Sequence, residues 1–245
     1  MADTVNPIIA LELRSGETRE VEFAAIDVFV GNMLWKGNPA SENWWPGLKQ
    51  VINGLLIIQG YKEAQQPEPK GIWVLGAANG QLLWNNDSAV LMAGNAEELI
   101  LQTSGEEKKY VKVDPHSGTI IEEIANGEHI PFIVPAKASV LPSGHYTSEN
   151  IYFQRLAEFV KIITGLEPVK AIDYLEVNNY IIISFYIYNN GKLNNELLVS
   201  DQDGQILFRE LIGEELSGVG LETFFVFNNR LVFIKNKKEL MIYEL

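Results

Sequence analysis

Three histidines and 32 carboxylates are the side chains of this 245-residue chain best suited to acid–base or metal chemistry. His116 lies in a turn signature, His129 precedes the apolar run Ile130 to Val134, and His145 sits in Pro142-Ser143-Gly144-His145-Tyr146. None has a second histidine at the spacing that lets two rings reach one zinc ion, so no metal site is expected. Cysteine is absent, which removes disulfides, thiolate ligands and thiol nucleophiles together. No Gly-x-Ser-x-Gly elbow, glycine-rich phosphate loop or His-Glu-x-x-His motif occurs.

The acidic residues offer two further chemistries. Sugar-cleaving enzymes use two carboxyl groups roughly 5 to 9 Å apart, one as acid and one as base or nucleophile. Glu97-Glu98, Glu106-Glu107 and Glu122-Glu123 are adjacent pairs, but they stand in or beside strand ends where carboxylates are ordinarily solvated, and no catalytic residue is assigned. Asp201-Gln202-Asp203-Gly204, with Glu210, fits part of a twelve-residue calcium loop. The first ligand position would be Val199, which has no side-chain oxygen, and the flanks read as strands. Asp-x-Asp-Gly is also what a tight hairpin turn requires, and that is the reading taken.

The remaining candidates are aromatic. Trp44-Trp45-Pro46-Gly47 places two indoles outside any clear strand. Neighbours in an extended segment point oppositely, so one ring is expected to be buried and the other left to stack on a ligand or partner. The candidate ligand- or partner-binding residues are therefore Trp44, Trp45, His145 and Tyr146. Trp35, Trp73 and Trp84 fall in strand patterns and read as core.

What must position these residues is a repeat. Val51-Ile52-Asn53-Gly54-Leu55-Leu56, Glu176-Val177-Asn178-Asn179-Tyr180-Ile181 and Val226-Phe227-Asn228-Asn229-Arg230-Leu231 each read as a strand, a two-residue turn and an apolar strand. A glycine turn with an apolar pair follows the first two, as Asn79-Gly80-Gln81-Leu82-Leu83-Trp84 and Asp203-Gly204-Gln205-Ile206-Leu207-Phe208. From Asn53 to Gly80 is 27 residues and from Asn178 to Gly204 is 26. A looser copy is Val113 to Glu122, and Leu13 to Thr18 echoes it near the N-terminus.

The segment Ala171 to Leu211 parses into four strands, near 171–177, 180–188, 193–200 and 205–210. Four antiparallel strands in about 40 residues make a propeller blade. The fold expected is all-β, a single small β-propeller of about five blades, six if the segments are compact. The last copy, from Leu221, has only three strands. Its fourth is expected from the N-terminal Ile8 to Leu13 or Thr18 to Phe23, closing the ring. One irregularity stands out between blades: Tyr152, Leu156, Phe159 or Val160 and Ile163 recur at helical spacing, with Ser148 able to cap and Gly165 to stop a helix over 148–164. It would cover a blade edge or one end of the barrel, or serve as a lid. The stretch Tyr61 to Lys70, with Pro67 and Pro69, reads as a polar connector.

These units resemble the blades of quinoprotein-like propellers, in which a glycine turn leads into an apolar pair and an aromatic residue. The whole chain also resembles a bacterial domain family of unassigned function. The resemblance implies the fold. The quinone cofactor is not carried over, because the chain is short, lacks adjacent cysteines and places only Trp84 at the repeated tryptophan position; no cofactor is expected.

With 19 basic residues against 32 acidic ones the net charge is −13. A polyanion would be repelled, so neither nucleic acid nor a membrane surface is expected as a partner. The longest apolar stretch, Tyr180 to Tyr188, is far below the roughly 20 residues of a bilayer span. No export signal is visible at the N-terminus, and a cytoplasmic location is expected. The reading favoured is a non-enzymatic binding or scaffolding domain for a protein or small ligand. The alternatives are a carbohydrate-active hydrolase or lyase working through carboxylates and a purely structural part of an assembly.

Overall fold

A computed structural model describes residues 1–40, 44–63, 66–103, 109–124 and 140–245. His129, the expected strand 130–134 and Glu106-Glu107 lie outside the described residues. Among the described residues the fold is all-β with one helix, in five antiparallel sheets of three to five strands, none closed into a barrel. The chain divides into two compact units, Met1–Ser139 and Val140–Leu245.

In the first unit β1 (Ile8–Ser15), β2 (Glu20–Asp27) and β3 (Asn32–Gly37) form one sheet. A second contains β4 (Gly47–Ile52), β5 (Leu55–Glu63), β6 (Gln66–Gly76) and β7 (Leu82–Asn86). A third contains β8 (Val90–Gly94), β9 (Leu99–Thr103), β10 (Lys109–Val113) and β11 (Ile120–Ile124). The second sheet is buried on both faces. Val51, Leu56, Ile58 and Leu75 pack on Ile8, Ala10, Val21 and Phe23, while Ile52, Leu55, Ile57, Ile72 and Val74 pack on Leu91, Leu99, Leu101 and Val111. That is why Leu55 to Ile58 is continuously apolar instead of alternating.

The turn chemistry is as expected. Asn53 and Gly54 both have positive φ, 46° and 79°, the left-handed backbone of a two-residue hairpin. The expected connector at Tyr61 to Lys70 is instead the far end of the β5–β6 hairpin, where Tyr61 pairs with Pro69. N-terminal to Ile72 the described residues of β6 do not pair with β7, so a proline there removes no second ladder bond.

In the second unit β12 (Val140–Pro142) and β13 (Gly144–Thr147) lead into α1 (Phe153–Thr164). The strands β14 (Val169–Val177), β15 (Tyr180–Asn189), β16 (Lys192–Asp201) and β17 (Ile206–Leu216) follow β13 in one five-stranded sheet. The last sheet runs β12, β18 (Phe224–Phe227), β19 (Arg230–Lys235), β20 (Glu239–Glu244). Its fourth strand is thus β12 and not an N-terminal one, which corrects the expected pairing. The extended segment 140–147 lines the edges of both sheets, and its hinge residue Ser143 donates to the Phe224 carbonyl at 3.2 Å.

The helix starts five residues later than its periodicity predicts. The Ser148 amide is held by the Lys170 carbonyl, and Asn150 Oδ1 accepts the Tyr152 amide, so 148–152 is a turn and Ser148 is not the cap. Gly165, at φ 74°, ends the helix as expected. The helix is not between sheets: it joins β13 to β14, neighbours within one sheet, and covers a face of that sheet instead of an edge. Phe153 and Val160 pack on Ile172, Ile183, Phe185 and Leu198, while Ile182, Leu197, Val199 and Ile212 on the other face meet Phe224, Val226, Leu231 and Phe233.

The outer strands share one defect in register. Ala25 pairs with Trp35 and Ile26 with Met33, leaving Leu34 unpaired. The same slip leaves Leu83, Ile121 and Leu207 unpaired, just before Trp84, Glu122 and Phe208. A bulge bends the strand and re-aims the next side chain. Trp35 Nε1 accordingly donates to the Ala77 carbonyl at 2.7 Å, and Trp84 Nε1 to the Pro115 carbonyl at 2.8 Å, each reaching the next sheet. Phe208 packs on Phe233 and Tyr243 of the last sheet. Glu122 has no indole to offer and pairs with Lys112 instead. The four bulged residues are exposed, and bulged edges resist adding a further strand.

Candidate functional site

Strand alternation puts Ala171, Asp173 and Leu175 on one face of β14, so a carboxylate occupies a core position between two apolar residues. Asp173 has 0% exposure. A charge there must be met by donors, because an unpaired buried carboxylate is costly. Its Oδ1 lies 2.5 Å from His145 Nδ1, in the neighbouring strand β13, where the two residues are direct cross-strand partners. Its Oδ2 accepts the Thr223 amide at 2.8 Å and the Thr223 hydroxyl at 2.6 Å.

The carboxylate therefore holds an imidazole on one side and the entry to β18 on the other. With Nδ1 donating to Asp173, Nε2 is the ring nitrogen left for another partner, and the His145 side chain keeps 19% of its surface. Further buried polar groups lie on the same face: Ser184, the cross-strand partner of Asp173, exchanges hydrogen bonds with Asn195, and Tyr186 accepts the Gly220 amide at 2.7 Å. Burial holds the Tyr186 phenol above its usual range, and the Asp173 charge adds to that. An oriented histidine on a buried carboxylate can bind a donor or acceptor group at a fixed angle, or take a proton in general-base chemistry.

Tyr146 does not join this site. It is the next residue on β13 and so addresses the opposite face, where its ring meets Tyr152 edge to face at 6.1 Å. Tyr174 belongs to that face too. Burial first, and then its hydrogen bond to Glu176, push its phenol well above the ordinary value of 10.0.

Trp44 and Trp45 belong to the first unit, and the expected division into one buried and one free ring is not found: both are half-buried. Arg14 Nη1 donates to the Trp44 carbonyl at 2.5 Å and Nη2 to the Pro46 carbonyl at 2.8 Å, with the guanidinium 5.2 Å from the Trp44 ring centroid. Glu12 orients Arg14 through Nε and accepts the Leu48 amide. One face of Trp44 is thus occupied by the chain's own cation.

The other sequence candidates are turns. Asp201 Oδ1 accepts the Asp203 and Gln205 amides, closing a hairpin in place of a calcium loop. His116 is exposed in a turn closed by Asp114, whose carboxyl is lowered below its usual range by the Ser117 hydroxyl first, then by the Ser117 and His116 amides it accepts. Among the described residues no three His, Asp or Glu side chains come together in a way that could hold a metal ion. Sequence reading missed Asp173, Thr223 and Tyr186. The signal present was a lone acid in the buried row of an apolar strand.

Residues 2–84 match a domain of unknown function (DUF4905). That is about a third of the chain. No curated protein matches. The solved structures similar to the chain include BamB from Moraxella catarrhalis, at 12% identity and a TM-score of 0.35, covering 100% of this chain and 83% of that one. A eukaryotic initiation factor is similar at 10% identity and a TM-score of 0.28, covering 97% and 52% of the two chains. A bifunctional GH43-CE protein of Bacteroides eggerthii is similar at 8% and 0.26, covering 98% and 33%. At these scores no ligand, partner or activity transfers to this chain. Among the described residues no helix is long and apolar enough to cross a membrane.

Proposed function

We propose that the chain is a binding domain that recognises a protein segment or small ligand through His145, without making or breaking bonds. One observation supports it: the imidazole is held by a carboxylate with 0% exposure while the His145 side chain keeps 19% of its surface. A histidine held this way meets a ligand without losing further rotamer freedom, which favours binding. The carboxylate, in contrast, has both oxygens occupied by His145 and Thr223 and serves poorly as one half of a glycosidase pair.

The test is a thermal-shift and calorimetric survey of sugars, nucleotides, amino acids and short peptides with the wild-type chain and His145→Ala. A ligand that stabilises the wild type and not the variant supports the reading. A ligand bound equally by both removes His145 from it.

The His145 and Asp173 pair also favours a second reading, general-base hydrolysis, because a buried carboxylate orienting a histidine is the arrangement such a base requires. Turnover of nitrophenyl glycosides or esters that is abolished by His145→Ala would replace the binding reading with this one.

A further inference from the structure

The last residues of β17 and the connection that follows them to β18 cross three strands, each of which supplies one buried acceptor. Asn194 of β16 accepts the Glu215 amide at 3.1 Å, Tyr186 of β15 accepts the Gly220 amide at 2.7 Å, and Asp173 of β14 accepts the Thr223 amide at 2.8 Å. The three side chains are buried, whereas residues 217–222 are all exposed, Leu221 to 73%. A loop with so little packing of its own would open easily; its order depends on these three anchors. Its ends are also conformationally costly, since Glu215 and Glu222 both have positive φ, 48° and 49°, a region that side chains seldom adopt without outside support.

The third anchor is the carboxylate that holds His145. Asp173 divides its two oxygens between the imidazole and the strap, so neither contact can be lost without changing what the other experiences. We propose that the strap 215–223 and the His145 ring form one two-state element: with the anchors made the strap is ordered and the imidazole fixed, and with them broken both are released together. This deepens the reading of His145 as the ligand contact, because anything that draws on the ring would also set the strap. Coupling of this kind is reciprocal: perturbing either end must be felt at the other.

The test uses the full chain without ligand, so its failure and the failure of ligand binding at His145 are separate results. Tyr186→Phe removes the Gly220 anchor without touching His145. Modification by diethyl pyrocarbonate, read by peptide mass, should then run about fivefold or more faster at His145 than in the wild type. Exposed His116 serves as the unchanged control. In the reverse direction, His145→Gln should raise amide exchange across 217–223 by about fivefold or more while β15 and β16 stay protected. If Tyr186→Phe exchanges faster everywhere, Thr223→Val, which keeps the amide and removes only the hydroxyl, takes its place in the same reading. A His145 rate unchanged by loosening the strap, or strap exchange unchanged by His145→Gln, overturns the proposal.

Discussion

The indole of Trp84 donates to the carbonyl of Pro115 at 2.8 Å, and the ring lies where a side chain at Gly118 would have to stand. Trp35 repeats the relationship with Ala77 and Gly80. The two bonds tie each sheet of the first unit to the next, and each depends on a bulge, a tryptophan and a glycine placed tens of residues apart. In the second unit the glycine of the corresponding turn, Gly204, is covered by Ile163 of the helix instead, 3.2 Å from where its Cβ would be. The helix thus does for that turn what an indole does for the others.

Replacing either glycine by alanine should be costly for two separate reasons. The Cβ at Gly118 would come 2.7 Å from the Trp84 ring and that at Gly80 2.5 Å from Trp35, and both backbones have positive φ. We expect Gly118→Ala and Gly80→Ala each to destabilise by about 1–3 kcal/mol, read from urea unfolding followed by tryptophan emission. Gly16→Ala, with open space and no positive φ, is the control and should change little. Equal stability of all three variants would mean that the indoles do not close against these turns.

The Trp44 segment offers a second prediction. Its carbonyls are held by Arg14, which also lies over the Trp44 ring, so Arg14→Lys keeps the charge but loses the forked donor geometry. The cost should be small, about 1 kcal/mol, because the contacts are largely exposed. Acrylamide quenching should nevertheless increase, as Trp44 gains a free face. Unchanged quenching would show that the ring is held by something other than the guanidinium.

How much of this was legible in the sequence follows from the range of each interaction. The hairpins at Asn53-Gly54 and Asn190-Gly191, and the four strands from Val169 to Leu216, are written in neighbouring residues, by turn chemistry and period-two alternation, and could be read directly. The helix was visible from its apolar stripe, but its start was set by Lys170, a residue outside the stripe that holds the Ser148 amide. Trp35 read as plain core because the turn it docks against lies 42 residues on. The candidate site was half legible: His145 drew notice as a rare side chain, whereas its partners Asp173 and Thr223 are 28 and 78 residues away and are joined to it only by strand pairing and the path of a loop. Pairing His145 with Tyr146 failed for the simplest reason, that consecutive strand residues face opposite ways.

Asp173 should be the most sensitive polar position of the second unit. Asp173 itself has 0% exposure, and Asp173→Ala strands the Thr223 amide and hydroxyl and the His145 Nδ1, all of them part-buried. Breaking a buried pair by removing one partner typically costs about 3–5 kcal/mol, and a loss in that range is expected in chemical unfolding. A variant with near wild-type stability would mean that water or another acceptor takes the bonds that Thr223 and His145 donate.

Tyr174 should make the fold sensitive to alkali. Burial, followed by the hydrogen bond to Glu176, raises its phenol above the ordinary value of 10.0, so the folded chain keeps this proton where the unfolded chain releases it. For an acid whose folded value is raised, the stabilisation is complete below the unfolded value and is lost as pH climbs through and above it. The urea midpoint of the wild type should therefore fall between pH 9 and pH 11, and the fall should be smaller for Tyr174→Phe, which has no proton to lose. Spectrophotometric titration at the tyrosinate band should show one fewer late-titrating phenol in the variant. Identical midpoint changes in the two proteins would place the alkaline sensitivity elsewhere, with Tyr186 the next phenol to replace, because its burial acts in the same direction.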